Sequence, residues 1–586
     1  MSQRIMLWAN YRRGPSISVP APYDDKSSPY WWYDRIANWA YDWARFGITD
    51  VLFPQPCKTN AGAFRGADGY GVYDDYDIGS KNTVQFGGMP TRFGYADQLR
   101  RAIAVCHANG MNVLLDVVQH QRMGGRNGIY NYLGSDGKTL NGRFAKFPSC
   151  FRGDPPRVPE DPVPSPPDDF AFGDELCPVN GKPTGYVWNG LIDAGDWLFR
   201  TTDADGARLD DMKGMAVDFM KDFMTSKEMA NNKWYFGEFA SGSANSWYGG
   251  LGTNWWVDQV DGLASASDFD THYNAIMPMC NNASGFNMAN LIYHGMIYSN
   301  PMKSVPFVES MDSDTNGFAT VVNNKVLGYA YLLTNQGLPQ IYIRDYLTEP
   351  NCYGLMEPIR NLSWCSNKFA HGYTIPRLRS QHIYVYERTG PPGAIVALNS
   401  DVYNPSWYTV TVQTNIPPGT RLHDHTGKNG QDCWVQGDGT VTFGIPPGAN
   451  GTGYGVWASA DYEGQDIKVT PRATTQDFDG AADLDILPLS NNEIKVGRIW
   501  CGDHQPLTLK MLAPNQQPAD FDYKLRVGFP DGSSANPTSD TITTSSYGWY
   551  DLYATGVKLS TPHPFTLRAT YYSTQHLKVE DFAYTA

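Results

Sequence analysis

The chain has 586 residues, too many for one hydrophobic core, and its 41% hydrophobic and 18% charged composition is that of globular domains and excludes a disordered chain. A formal net charge of −14 without any long Lys/Arg run excludes the electrostatic footprint of a nucleic-acid binder. No apolar stretch is long enough to span a bilayer, so neither nucleic acid nor membrane is expected as a partner.

Along the chain, Met1-Ser2-Gln3-Arg4-Ile5 runs directly into strand-like residues, which predicts no signal peptide. The protein is then cytoplasmic, or secreted with the signal already removed. Arg4–Ala9 reads as a buried strand. Ser28-Pro29 offers an N-cap followed by proline at the first helical position. Trp32, Ile36, Trp39 and Trp43 share one helical face, and Gly47 stops that helix. Thr49–Pro54 is the next strand, and a helix over Tyr95–Asn109 leads through Gly110 to the strand Asn112–Val118. Cys106, inside this helix, reads as core. The nine cysteines cannot all pair, and their spacings give neither a zinc ribbon nor a compact disulfide framework, so at most one or two disulfides are expected.

Residues 122–190 break the rhythm with Gly, Pro and Asp, as in Asp154-Pro155-Pro156. A segment this long inside a compact domain predicts a functional inserted domain. Strand patterns resume at Ala207–Asp210, Trp234–Glu238, Gly262–Phe269, Val305–Val308 and Leu338–Ile343. Eight strand candidates alternating with helices predict an α/β fold, a (β/α)8 TIM barrel with a domain inserted after the third strand. From about residue 373, short strands with Pro-Gly and Asn-Gly turns replace the helical pattern and predict two C-terminal all-β sandwich domains. The expected boundaries are 1–121 and 191–372 for the barrel, 122–190 for the insertion, 373–461 for the first sandwich and 462–586 for the second all-β domain.

Barrel chemistry sits where strands end, so acids there stand out. Asp210 closes Gly206-Ala207-Arg208-Leu209-Asp210, with Arg208 two residues earlier and so on the same side of a strand. A neighbouring cation keeps a carboxylate ionised and oriented, as a nucleophile requires. Glu238 ends the greasy run Trp234-Tyr235-Phe236-Gly237, a setting that can raise a carboxyl pKa and make a proton donor. Asp312 ends Phe307-Val308-Glu309-Ser310-Met311. Glycoside hydrolysis needs such a pair, one carboxylate to attack or activate water and one acid to protonate the leaving oxygen. Each acid taken singly could equally serve a structural ion pair.

Taken together these residues resemble glycoside hydrolase family 13, the α-amylase family. Leu114–Gln121, Arg208–Gly214, the Glu238 strand and Phe307–Asp312 fall in the order and spacing of its four signature regions. The segment Gly69-Tyr70-Gly71-Val72-Tyr73-Asp74-Asp75-Tyr76-Asp77-Ile78-Gly79 is similar to the family's segment after strand two. Gly337-Leu338-Pro339-Gln340-Ile341-Tyr342 and Ile359–Trp364 continue the likeness, which covers about 1–460 and leaves the last segment unmatched. It implies a retaining enzyme acting on α-glucans such as starch and maltooligosaccharides, with a glucanotransferase or a weakened α-glucan-binding protein as the alternatives. In that reading Asp210 is the nucleophile, Glu238 the acid/base, and Asp312 grips the 2- and 3-hydroxyls of the reacting sugar. Arg208 orients Asp210, with Asp116 behind it. Tyr70 stacks beneath the sugar, and Lys213 contacts glucose units on the leaving-group side.

The sequence departs from the family at His120-Gln121 in place of Asn-His, Lys213-Gly214 in place of Lys-His, and Met311-Asp312 in place of His-Asp. Gln121 still donates and accepts, whereas Met311 offers only a weak acceptor, which predicts an active enzyme with a reshaped subsite. No cofactor is required for the chemistry. The family often binds calcium through the asparagine that is here His120, a poor replacement for an oxygen ligand. Asp174 and Glu175 could still supply a site or simply be solvated loop charges, so the metal stays unassigned. His423 and His425 lack a third ligand and read as a hairpin pair, not a metal site. The 17 Trp, 36 Tyr and 26 Phe suit sugar faces, yet barrel and sandwich cores consume aromatics equally well. Chain-length preference would depend on the insertion and on Trp247, Trp255 and Trp256.

Overall fold

The computed structural model describes residues 4–10, 31–60, 69–81, 90–132, 143–164, 173–245, 251–314, 317, 319–349, 352–462, 464–480, 486–513, 515–537, 540–557, 565–578 and 581. Eight short parallel strands form the central sheet: β1 (Met6–Trp8), β2 (Asp50–Phe53), β3 (Asn112–Val117), β4 (Gly206–Leu209), β5 (Trp234–Gly237), β6 (Ala264–Ser267), β7 (Ser304–Val305) and β8 (Gln340–Tyr342). Their order in the sheet is β7-β6-β5-β4-β3-β2-β1-β8. Chain order and spatial order therefore coincide. At the ends of that series, Leu338 and Gln340 donate to the carbonyls of Ser304 and Pro306, both at 2.9 Å. This is the (β/α)8 barrel that the alternating pattern predicts. Strands buried on both faces read as continuous apolar runs, and β1 and β2 are buried along their whole length.

The main helices between strands are α1 (Trp32–Arg45), α2 (Ala96–Ala108), α3 (Tyr186–Thr202), α4 (Val217–Thr225), α5 (Thr253–Gln259) and α6 (Lys325–Thr334), with α7 (Met356–Phe369) after β8. In α1, Trp32, Ile36 and Trp43 are buried as their spacing predicts, while Trp39 is half-buried. The expected Ser28-Pro29 cap lies outside the described residues. At the start of α2, Gln98 accepts the Tyr95 N–H at 2.9 Å, satisfying one of the donors that a helix start leaves over. Cys106 is fully buried, and all nine cysteines are free thiols, so the one or two expected disulfides are not formed.

The chain divides into two compact units. One comprises Met1–Val19, Asp42–Leu52 and Phe236–Val469. Besides barrel strands it holds a β-sandwich over 371–459, whose core includes Val385, Ile395, Leu422, Phe443 and Trp457. The other comprises Pro20–Tyr41, Phe53–Tyr235 and Thr470–Ala586. It contains β3 and β4, the inserted segment, and a final sandwich of a four-stranded and a five-stranded antiparallel sheet. In that sandwich Gly548–Thr555 alternates strictly between buried and half-buried residues, the mark of a strand with one face on a core. The final sandwich packs on α2 and α3 within the same unit. The Gln476 amide donates to the carbonyls of Arg100 and Thr202, each at 3.2 Å. His107 meets Thr474 Oγ1 at 2.8 Å, and Arg498 pairs with Asp97.

Candidate active site

The unit that carries β3 and β4 builds one carboxylate cluster. Gly206 opens β4 where the backbone of the next strand passes so close that a Cβ would lie 1.8 Å from the Trp234 carbonyl oxygen. Only glycine fits there. Two residues on, Arg208 points inward, 1% exposed, with Nη1 2.6 Å from Asp210 Oδ1 and 2.7 Å from Asp116 Oδ1. Tyr70 donates its phenol to the other Asp116 oxygen. Burial pushes that phenol well above its ordinary pKa, with the Asp116 and Asp210 charges adding to the effect, so Tyr70 stays a neutral donor. Asp210 ends the strand with its N–H on the Val117 carbonyl at 3.1 Å. Asp211 then takes a left-handed conformation, φ +45°, which Asp tolerates better than most side chains. That turn leads into the short helical segment bearing the half-exposed Lys213.

His120 and Gln121 follow β3 and are buried. The His120 carbonyl accepts the Leu176 N–H at 2.7 Å, and its Nε2 lies 3.4 Å from Asp211 Oδ2. Burial, helped by the charge of Arg122, holds the imidazole down at about 3, so it is neutral near pH 7. Gln121 pairs with Glu175 in a small antiparallel ladder, and its buried Oε1 has no protein hydrogen-bond partner among the described residues.

The other unit carries Glu238 and Asp312. Glu238 follows β5 directly and is half-buried. Gly237, just before it, lies flat against the buried Trp256 ring, and a Cβ there would come within 2.2 Å of it. Trp255 beside it packs on Phe239 at 6.1 Å, while Trp247 lies outside the described residues. Asp312 sits in a turn pinned by Ser310 and Ser313. Ser310 Oγ accepts the N–H groups of Asp312 and Ser313, and Ser313 Oγ accepts that of Ser310 at 2.8 Å. Met311 is 4% exposed, and the Asn10 amide reaches its sulfur at 3.5 Å. The Tyr273 phenol is raised by burial and then by the charges of Asp312, Glu238 and Glu309.

Behind Asp312 lies a charged network to which the sequence reading assigned no role. Lys325 donates to Glu309 at 3.1 Å and to Asp345 at 2.7 Å, and Tyr329 adds a bond to Asp345 at 2.7 Å. Arg344 pairs with Asp314, which also accepts from Tyr353 at 3.1 Å. Glu309 was visible only as a member of the Phe307–Asp312 strand. Apart from Ser313, its partners Val321 and Lys325 come from farther along the chain, so no local signal could have revealed them.

The acids that could have held a cation are taken by bases. Asp174 pairs with Arg157 and Glu175 with Arg152, each at 2.6 Å, while Asp75 is held by Arg122 and by Lys146 at 2.6 Å. Burial alone would raise the Asp75 carboxyl, but these two bases outweigh it and hold it at about 2. Among the described residues no three His, Cys, Asp or Glu side chains converge in a metal-holding group. His423 and His425 each have a partner of their own, Asp432 at 2.8 Å and the Ser459 carbonyl at 3.1 Å.

Comparison with known proteins bears on the chain as a whole. Residues 395–458 match the family model described as Alpha-amylase C-terminal. The chain is similar to an α-amylase of Geobacillus stearothermophilus, 26% identical over 534 residues that span 79% of this chain and 93% of the relative. It is also similar to a cyclomaltodextrin glucanotransferase of Thermoanaerobacterium thermosulfurigenes, 26% identical over 269 residues, 41% of this chain and 36% of that one. In fold it resembles the crystal structure of a gamma-CGTase from alkalophilic Bacillus clarkii, with TM-score 0.58, 17% identity and coverage of 98% and 97% of the two chains. The C-terminal family model, the α-amylase relative and the shared fold all point to the α-amylase family, glycoside hydrolase family 13.

Proposed function

We propose that this protein is a glycosidase acting on α-glucans such as starch and maltooligosaccharides through a covalent glycosyl-enzyme intermediate. The observation that carries the reading is Arg208 bridging Asp116 and Asp210 at the end of β4. A guanidinium shared between two carboxylates keeps Asp210 ionised and fixes the direction of its free oxygen, which an attack on an anomeric carbon demands. In this reading Glu238 protonates the leaving oxygen and later takes a proton from water. Asp312, braced by Ser310 and Ser313, grips the sugar hydroxyls. Tyr70 lies under the sugar, Lys213 contacts the leaving-group side, and Gln121 supplies a polar wall.

The test is incubation with maltoheptaose and with soluble starch, products resolved by chromatography. Shorter products are expected. Products longer than the substrate would move the assignment to glucanotransfer, the second reading, which the likeness to a cyclomaltodextrin glucanotransferase favours. No turnover of either substrate would overturn both.

Met311 stands where the family places a histidine, and its sulfur is a weak acceptor. A donor used mainly in the transition state contributes about 2–3 kcal/mol, so Met311→His is expected to raise maltoheptaose turnover by up to about a hundredfold or to change the product pattern. An unchanged rate and pattern would show that Met311 does not shape the subsite.

The family's calcium does not fit the residues present. Asp174, Glu175 and Asp75 already have guanidinium or ammonium partners, and a neutral imidazole at His120 is a poor ligand for a hard cation. Activity and melting temperature are therefore expected to survive a chelator, with Tm moving by less than about 1 °C, since a ligand that does not bind the native state cannot stabilise it. A lower Tm that calcium restores would refute this.

A further inference from the structure

The strongest feature outside the strand-end acids is a cavity of about 1070 Å³ on the outer side of α3. Asn189, Asp193, Asp196 and Arg200 recur at spacings of four, three and four, so they form one stripe of the helix. On most barrel helices such a polar stripe faces open water. Here it is one wall of the cavity, whose other walls come from Arg143 and Phe144, from Lys227–Asn231, and from Asn515, Gln516 and Arg568 of the final sandwich. All of these lie in the same compact unit, and none belongs to the cluster of Tyr70, Asp116, Arg208 and Asp210.

The lining chemistry selects a class of ligand. Its charges are spent on one another: Lys227 pairs with Asp193, Arg200 with Asp196 and Asp477, each at 3.1 Å, and Arg568 with Asp477 at 2.7 Å. An ion would find little net field. Uncharged amides line it at Asn189, at Asn231, whose NH2 also donates to Glu228 at 3.0 Å, and at Asn515, whose Oδ1 also accepts the Gln517 N–H at 3.1 Å, and each amide can both donate and accept. Of its rings Tyr186 is half-buried, while Tyr76, Phe144 and Trp197 are buried. Two buried donors, Trp197 Nε1 and Arg143 Nη1, bond to no protein acceptor among the described residues. Amides and two unsatisfied donors for hydroxyls, the half-buried Tyr186 ring for a C–H face, a neutral balance and a volume at the upper end of ligand pockets suit an uncharged polyhydroxyl chain.

We propose that this cavity is a second carbohydrate site, holding a segment of α-glucan on the α3 face while the strand-end acids act elsewhere on the polymer. The ligand's identity rests on the α-glucan reading of the catalytic residues. A polymer held at two places reaches the second by effective concentration, so the site should matter for starch and not for short substrates.

The experiment compares wild type with Asn189→Trp, which fills the cavity, and with Asn189→Ala/Asn231→Ala, which only removes amides. Retardation in native gels containing soluble starch is measured beside turnover of a short chromogenic maltoside and of maltoheptaose. Both variants are expected to weaken apparent starch affinity by at least about threefold, the scale of one or two neutral hydrogen bonds, with short-substrate kcat/KM unchanged. Unchanged retardation in both variants, or a wild type that cleaves starch without being retarded, overturns the site. A wild type that turns over no α-glucan, yet whose retardation the variants abolish, would refute the catalytic reading and keep the site.

Discussion

Asp210→Asn is expected to lower maltoheptaose turnover by about 10⁴-fold or more, the scale on which enzymes lose activity when one member of a catalytic set is removed. The amide is isosteric but carries no negative charge with which to form a glycosyl ester. Arg208 keeps its 2.7 Å bond to Asp116 in this variant, so stability should change by no more than about 1 kcal/mol. The loss would then be chemical and not a failure to fold. Glu238→Gln should cost roughly 10² to 10⁴, the usual contribution of a general acid or base. It should cost least in the first step on an aryl maltoside whose leaving group needs no proton, because there the acid has little to do. Activity of Asp210→Asn within about tenfold of wild type would remove Asp210 from the nucleophile role and the retaining mechanism with it.

Lys325→Met should produce the largest loss of stability, about 3–5 kcal/mol in urea denaturation, because it leaves buried Asp345, and Glu309 whose carboxyl burial already pushes up to about 8, without their cation. Lys325 is only 4% exposed at its side chain, and its partners Glu309 and Asp345 are fully buried. Burial alone would lower the ammonium pKa, but the two carboxylates outweigh that and raise it, so the lysine is charged throughout the working pH range. Glu309 also accepts the Val321 N–H at 2.6 Å and is bonded by Ser313, whose own hydroxyl pins the turn that presents Asp312. Catalysis should therefore fall with stability. Neutralising the acids as well, in Glu309→Gln/Lys325→Met/Asp345→Asn, should recover part of the loss, since the penalty comes from unpaired charge more than from missing contacts. A single-variant loss below about 1 kcal/mol would mean that the network contributes nothing to the fold.

What could be read from the chain follows how local each signal is. Arg208 and Asp210 were legible because a strand has period two, and because a barrel puts its chemistry at strand ends. The helix over Tyr95–Asn109 was legible as the run that Gly110 ends before the next strand, and the structure places its ends within a residue of that reading. The final domain was legible only as an all-β segment over 462–586, without its seat on α2 and α3, because Gln476 looks like any surface glutamine until the Arg100 and Thr202 carbonyls stand opposite it. The same holds for Lys325 with Glu309 and Asp345, and for Arg344 with Asp314. Charges in sequence look solvated, and only the fold shows that they are buried. The arginines opposite Asp174 and Glu175 stood in plain view, yet nothing in their spacing ties each to its acid.

The bond from Gln476 to two barrel helices also bears on biogenesis. Phe53–Tyr235 and Thr470–Ala586 belong to one compact unit, although the largest segment of the other, Phe236–Val469, is encoded between them. At roughly 5–20 residues per second, the ribosome takes about twenty to seventy seconds to add the chain from 236 to the end. During that interval the outer faces of α2 and α3 wait without their cover, with the Arg100 and Thr202 carbonyls open to water and Asp97 without Arg498. Nascent chains halted near residue 465 should therefore be protease-sensitive over 96–202, and should depend more on chaperones than chains released at full length.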